Sequence, residues 1–172
     1  MEEFEKYFNK ALRFLSYRPR SEKEIRDNLK FKSRKSRKKA DEVDEVIIDR
    51  IINQLKELKF VDDEQFTRWW IEQRSEFRPK SMRIIKMELK QKGIDQDTIV
   101  QVLQNPEFKV QNDLDKAKSL VQKQLRKYER FEPLERKQKL AQYLGRRGFD
   151  WETIKQAVDP VRNETEDESL GS

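Results

Sequence analysis

Two phrases of this chain recur at fixed distances, and the recurrence limits the possible folds more than any other feature. Pro19-Arg20-Ser21-x3-Ile25-x3-Leu29 returns as Pro79-Lys80-Ser81-x3-Ile85-x3-Leu89. Leu89-x3-Gly93-Ile94-Asp95-x3-Ile99 returns, at a slightly shorter distance, as Leu144-x3-Gly148-Phe149-Asp150-x3-Ile154. Pro106 and Pro160 keep nearly the same separation. Sustained self-similarity at one long period marks stacked modules that contact chiefly their neighbours.

Apolar residues recur at i, i+3/i+4 and i+7 in nearly every segment, which predicts amphipathic helices. The stripes are Phe4, Tyr7/Phe8, Ala11 and Leu15; Val43, Ile47, Ile51, Leu55 and Leu58; Phe66 with Trp69/Trp70; Met82, Ile85 and Leu89; Leu114, Ala117, Val121, Leu125 and Tyr128; and Leu140 with Leu144. No segment alternates at period two for long, so the expected class is all-α. Pro19, Pro79 and Pro133 sit ahead of helical stripes, where a fixed φ costs nothing. Gly93 and Gly148 stand where a helix ends with positive φ. Asp95 and Asp150 then cap the next helix, and Ser21-x-x-Glu24 reads as a capping box. Asp62-Asp63-Glu64 reads as a helix N-terminus with acids at the positive dipole end. The expected unit is therefore three helices with a sharp corner before the third, helix-turn-helix-like. It occurs three times, at 2–60, 62–105 and 112–159. A chain with only 34% apolar residues can fold this way because each helix needs one apolar stripe.

The absences exclude whole classes of chemistry. With no Cys and no His, there is no disulfide, thiolate or imidazole metal site, and no Ser–His–Asp triad. Four Gly residues write no phosphate-cradling loop. The longest run free of charge, Thr98 to Pro106, is nine residues, far short of a membrane span. Met1-Glu2-Glu3-Phe4-Glu5-Lys6 does not read as a secretion signal. The expectation is a soluble cytoplasmic protein.

Charge is where function would lie. The net charge is +6, and residues 159–172 carry five acids against Arg162. The body before them is thus more basic than the total implies, and 161–172 reads as an acidic disordered tail. The stretch 30–39 holds seven basic residues and no acid. Candidate binding residues are Arg18, Arg20, Arg34, Lys35, Arg37, Lys38, Lys39, Lys80, Arg83, Lys86, Lys90, Arg146 and Arg147. Arg83, Lys86 and Lys90 share a helix face away from Ile85 and Leu89. Stacked repeats would bring equivalent helices together into one surface for phosphates or an acidic partner. Trp69 and Trp70 point about 100° apart on a helix, so one belongs to a core and the other packs between repeats or is exposed. The third helices are poor in bases, so base-specific readout in a major groove is not expected; contact with the nucleic-acid backbone is.

The phrases Arg18-Pro19-Arg20-Ser21-x3-Ile25-x3-Leu29, Phe60-Val61-Asp62-Asp63-x2-Phe66, Leu89-Lys90-Gln91-Lys92-Gly93-Ile94 and Arg146-Arg147-Gly148-Phe149 resemble, in order and spacing, the RecX regulators of the bacterial recombinase RecA. The resemblance covers roughly residues 8–158. It implies a cytoplasmic, curved and elongated rod of three tandem three-helix repeats. It further implies a monomer that enters the groove of the RecA–DNA filament and suppresses filament extension, ATP hydrolysis and strand exchange within the SOS response. It implies no catalysis, no cofactor and no metal, with single- or double-stranded DNA as a second partner. Lys59 stands where members of the family often have Gly. The alternative is a non-sequence-specific DNA-binding protein acting without RecA; a carboxylate-metal nuclease is disfavoured because capping accounts for the clustered acids.

Overall fold

A computed structural model describes residues 2–34 and 43–161, with 31–34 described in backbone alone. Lys35, Arg37, Lys38, Lys39 and the tail after Val161 lie outside the described residues. Among the described residues there are nine helices and no strand. They are α1 (Glu2–Leu15), α2 (Glu22–Arg34), α3 (Glu45–Glu57), α4 (Asp63–Glu76), α5 (Met82–Gln91), α6 (Gln96–Gln104), α7 (Asp113–Tyr128), α8 (Pro133–Gly145) and α9 (Trp151–Val158). The expected all-α class is what the chain adopts.

The helices divide between two compact units. One takes the described residues up to Glu72 with Met87–Phe108; the other takes Gln73–Lys86 with the described residues from Lys109 to Val161. The division runs through α4 and α5, so the helices of the middle stretch are shared out between the two units.

In the first unit, Tyr7 and Ala11 of α1, Ile25 and Leu29 of α2, and Ile48, Ile51, Ile52 and Leu55 of α3 close one core, with Val43 and Val61. Here the expected stripe of α3 needs correction. Ile48 and Ile52 are fully buried and Leu58 is 51% exposed, because α3 ends at Glu57 and Leu58 is already its C-cap. In the second unit, Ala117, Leu120 and Val121 of α7 meet Leu140 and Leu144 of α8 and Ile154, Ala157 and Val158 of α9, with Phe149. The recurring phrase is buried alike in both copies: Ser21, Ile25 and Leu29 match Ser81, Ile85 and Leu89, each essentially inaccessible. Three such positions four apart lie on one helix stripe.

The corners form as their residues dictate. Gly93 and Gly148 take φ of 85° and 82°. The following amide turns back, Ile94 N–H to Leu89 O at 3.1 Å and Phe149 N–H to Leu144 O at 3.4 Å. Asp95 and Asp150 then accept the amides of Thr98 and Thr153, at 2.7 and 2.9 Å, and start α6 and α9.

Candidate partner and nucleic-acid interface

Each serine of the recurring phrase ties its helix to the corner of a later segment. In the first unit Ser21 Oγ donates to the carbonyl of Lys92 at 2.7 Å, while accepting the amide of Glu24 at 3.2 Å. In the second, Ser81 Oγ donates to the carbonyl of Gly148 at 2.7 Å and its amide donates to Arg147 O at 3.1 Å. The first amide of each helix is capped from a distant helix. Glu22 N–H donates to Asp63 at 2.9 Å, and Met82 N–H to both oxygens of Asp113 at 3.0 and 2.9 Å. One hydroxyl and one carboxylate thus build the same joint twice. The joint also explains the glycines beyond their φ. A Cβ on Gly93 would lie 2.5 Å from Lys23 Cβ, and one on Gly148 would collide with Ile84.

The first joint is ringed by ion pairs. Glu24 takes Arg18 at 2.8 Å and Lys92 at 2.7 Å, and Glu22 takes Arg26 at 2.7 Å and Lys56 at 2.6 Å. Burial by itself would raise both carboxyls. Hydrogen bonds from Arg18 and Lys92 to Glu24, and from Lys56 and Arg26 to Glu22, outweigh it and hold both below the usual glutamate range. Asp63 is pushed up by burial, with the Glu22 charge adding to the rise and the Glu22 amide opposing it. In the second joint Lys116 is 1% exposed. Its Nζ lies 3.5 Å from Asp113 Oδ1, too far for a strong hydrogen bond. Burial lowers its pKa, and Asp113 opposes the fall.

The candidate cations take different places in this frame. Arg18 is clamped: it chelates Glu24 and lies 5.8 Å from the Trp69 ring. Arg20 lies 3.9 Å over Phe14, and its buried Nε has no hydrogen-bond partner among the described residues. Arg83 donates to Gly148 O at 3.3 Å, which brings it to the corner entered through Arg146 and Arg147. Arg147 stacks on Tyr143 at 3.9 Å, and Arg146 is exposed. Lys86 and Lys90 follow Arg83 on α5, one and two turns on, with Lys90 exposed. Lys80 precedes the docked Ser81. Arg34 closes α2 with its side chain outside the description, and Lys35, Arg37, Lys38 and Lys39 belong to the undescribed stretch. Sequence reasoning missed Lys92, which lies 4.3 Å over Trp70 while paired to Glu24; its place directly before Gly93, as Arg147 stands before Gly148, was the available signal. Of the two tryptophans, Trp70 is the core member, stacked on Phe66 at 5.9 Å and donating to Glu88 at 3.1 Å. Among the described residues no acids cluster as a metal site, and no helix is long and apolar enough to cross a membrane.

Three family models match the chain in order: the first three-helix domain of RecX at 8–32, the second at 62–103 and the third at 111–158. The regulatory protein RecX of Bacillus subtilis is 32% identical over 168 residues, 98% of this chain and 60% of that protein. The one of Oceanobacillus iheyensis is 33% identical over 162 residues, 94% of this chain and 55% of that protein. The chain thus spans about 60% of the length of the curated relatives it matches. The fold is also that of a solved RecX from Lactobacillus salivarius, with a TM-score of 0.69 at 24% identity over 93% of this chain and 97% of that one. A second solved regulatory protein RecX gives 0.67 at 25% identity, covering 91% and 73%.

Proposed function

The chain belongs to the RecX family, and on that premise we propose that it is a regulator of RecA. In this reading it binds the RecA–DNA filament and suppresses its extension, ATP hydrolysis and strand exchange. It acts as a cytoplasmic monomer with no catalytic step, cofactor or metal of its own. The observation that carries the reading is the ordered match of three RecX domains across residues 8–158. The repeated joint supports it: the same serine-and-aspartate contact is built once in each unit, so each unit can offer an equivalent surface to a periodic target. Weak contacts made in series then add to a high avidity. DNA contact is a second term, carried by Arg83, Lys86, Lys90, Arg146 and Arg147 and the basic stretch 30–39, and directed at phosphates rather than at sequence-specific base edges.

The test is ATP hydrolysis by preformed RecA filaments on single-stranded DNA, titrated with this protein. Inhibition well below one protein per RecA is the expected result. Unchanged hydrolysis and strand exchange at about a tenth of the RecA concentration in low salt would refute the regulator reading. Inhibition that appears only as the protein saturates the DNA would replace it with simple competition for DNA.

A further inference from the structure

A groove of 640 Å³ opens on the first unit between the end of α1 and the α3–α4 corner. Its wall is aromatic: Tyr17 is 77% and Phe60 55% exposed, and the half-buried Trp69 lines the groove with them. Apolar surface gathered in one groove and rimmed by polar groups marks a ligand or partner site. The cations of the groove are Arg18, Arg20 and Lys59. Arg18 is spent on Glu24, but Arg20 stacks on Phe14 with a buried Nε that no described group satisfies. The carboxylate in the lining is Asp62, whose Oδ1 is occupied by the amides of Glu64 and Gln65 at 2.8 and 3.0 Å.

Lys59 gives an independent pointer. Its backbone has φ of 58°, and Phe60 N–H returns to Leu55 O at 2.9 Å. This is the same corner that Gly93 and Gly148 make with φ of 85° and 82°. Glycine would adopt it without strain, so this chain carries a lysine side chain there at a backbone cost. Strain held beside a groove points to a use for the side chain that is strained.

A ligand that complements this surface needs a flat ring for the exposed aromatics and an anion for Arg20 and Lys59. We propose that the groove seats an unpaired nucleotide of a single-stranded nucleic acid, its base stacked on Tyr17 or Phe60 and its phosphate held by Arg20 and Lys59. A duplex cannot use the site, since its bases are already stacked within the helix. The reading goes beyond the regulation of RecA and does not need it: this chain and a single strand suffice.

The experiment compares oligothymidylate with an abasic phosphodiester of equal length, each bound to the protein alone at fixed salt, with quenching of Trp69 as a second readout. Stacking of one base predicts about five- to hundredfold tighter binding of the thymidylate. Tyr17→Ala with Phe60→Ala brings the thymidylate down to the abasic affinity. Lys59→Gly, which relieves the backbone and so keeps the fold, weakens both ligands and lowers the salt slope by about one. Equal affinity of the two ligands for the unaltered protein, or thymidylate binding indifferent to loss of Tyr17 and Phe60, would overturn the site. So would a double variant that keeps its DNA affinity but loses affinity for DNA-free RecA, which would make the groove a protein-docking surface. Failure of the RecA hydrolysis assay leaves this comparison untouched, so the two readings fail separately.

Discussion

Lys59, Gly93 and Gly148 occupy one backbone conformation in three different surroundings. At Gly148 an added Cβ collides with Ile84, and at Gly93 it meets the Lys23 side chain. Lys59 is exposed. Gly148→Ala should therefore cost the left-handed penalty of about 1–2 kcal/mol and an overpacking term of similar size, a loss of about 2–4 kcal/mol in urea unfolding. Lys59→Gly should go the other way, gaining about 0.5–1 kcal/mol, since relief of φ is partly offset by the greater freedom of the unfolded glycine. A Lys59→Gly variant less stable than the parent would show that the corner draws on the lysine side chain for its fold. Glycine announces a positive φ in the sequence, and two of the three corners were legible for that reason. The third was legible only through the resemblance, whose members often have Gly at position 59; nothing about a lysine itself signals a left-handed backbone.

At the level of elements, the N-termini of α2 and α5 hold the joints. Each helix has its first amide bonded to an aspartate on a distant helix and its serine bonded to a distant carbonyl. Ser81→Ala takes the shorter of two hydrogen bonds from the Gly148 carbonyl, leaving Arg83 at 3.3 Å, and should cost about 0.5–1.5 kcal/mol. Asp113→Ala uncaps Met82, at about 0.5–2 kcal/mol, and also leaves the buried Lys116 without its carboxylate, which adds to the loss. Both changes loosen the same turn of α5, so the double variant should lose less than the sum of the two. Additive losses in a double-mutant cycle would show two independent contacts rather than one joint. The capping box at Ser21 and Glu24 could be read from spacing, and it forms, with Ser21 N–H to Glu24 Oε2 at 3.4 Å. Its second task could not be read: local spacing carries no trace of a bond to the carbonyl of Lys92, far along the chain. The same limit explains the basic residues. Composition showed that cations cluster, but their partners are set by tertiary placement, so Arg18 and Lys92 turn out to be spent on Glu24. The α3 stripe is wider than expected: Val43, Ile51 and Leu55 are buried as read and Ile47 packs on them, Ile48 and Ile52 join the core, and only Leu58, the C-cap, falls outside it.

Across the whole molecule the two units should answer pH differently. Glu22 and Glu24, in the first, are held below their ordinary 4.5. A carboxyl lowered in the fold contributes stability that is full above its unfolded value and is lost as the pH falls through the folded value. Asp63, raised above 3.8, has the opposite sign and offsets part of that loss. Lys116, in the second unit, is held below 10.5. It stays protonated in acid, so its contribution does not change there; the fold gains only as the pH rises through its lowered value. Acid should therefore loosen the first unit before the second. The tryptophans make the difference measurable: Trp69 and Trp70 belong to the first unit and the 70%-exposed Trp151 to the second. In a Trp151→Phe variant the remaining emission reports the first unit alone. Its acid transition should fall at a higher pH than the loss of total helicity followed by circular dichroism. Glu24→Gln should lower the melting temperature at neutral pH by a few degrees, about what 1 kcal/mol costs a chain of this size, and should flatten the fall below about pH 4.5. Coincident acid transitions for emission and helicity would mean that the units unfold as one. A Glu24→Gln variant with the full acid slope would move the source of that slope away from the Arg18–Glu24–Lys92 cluster.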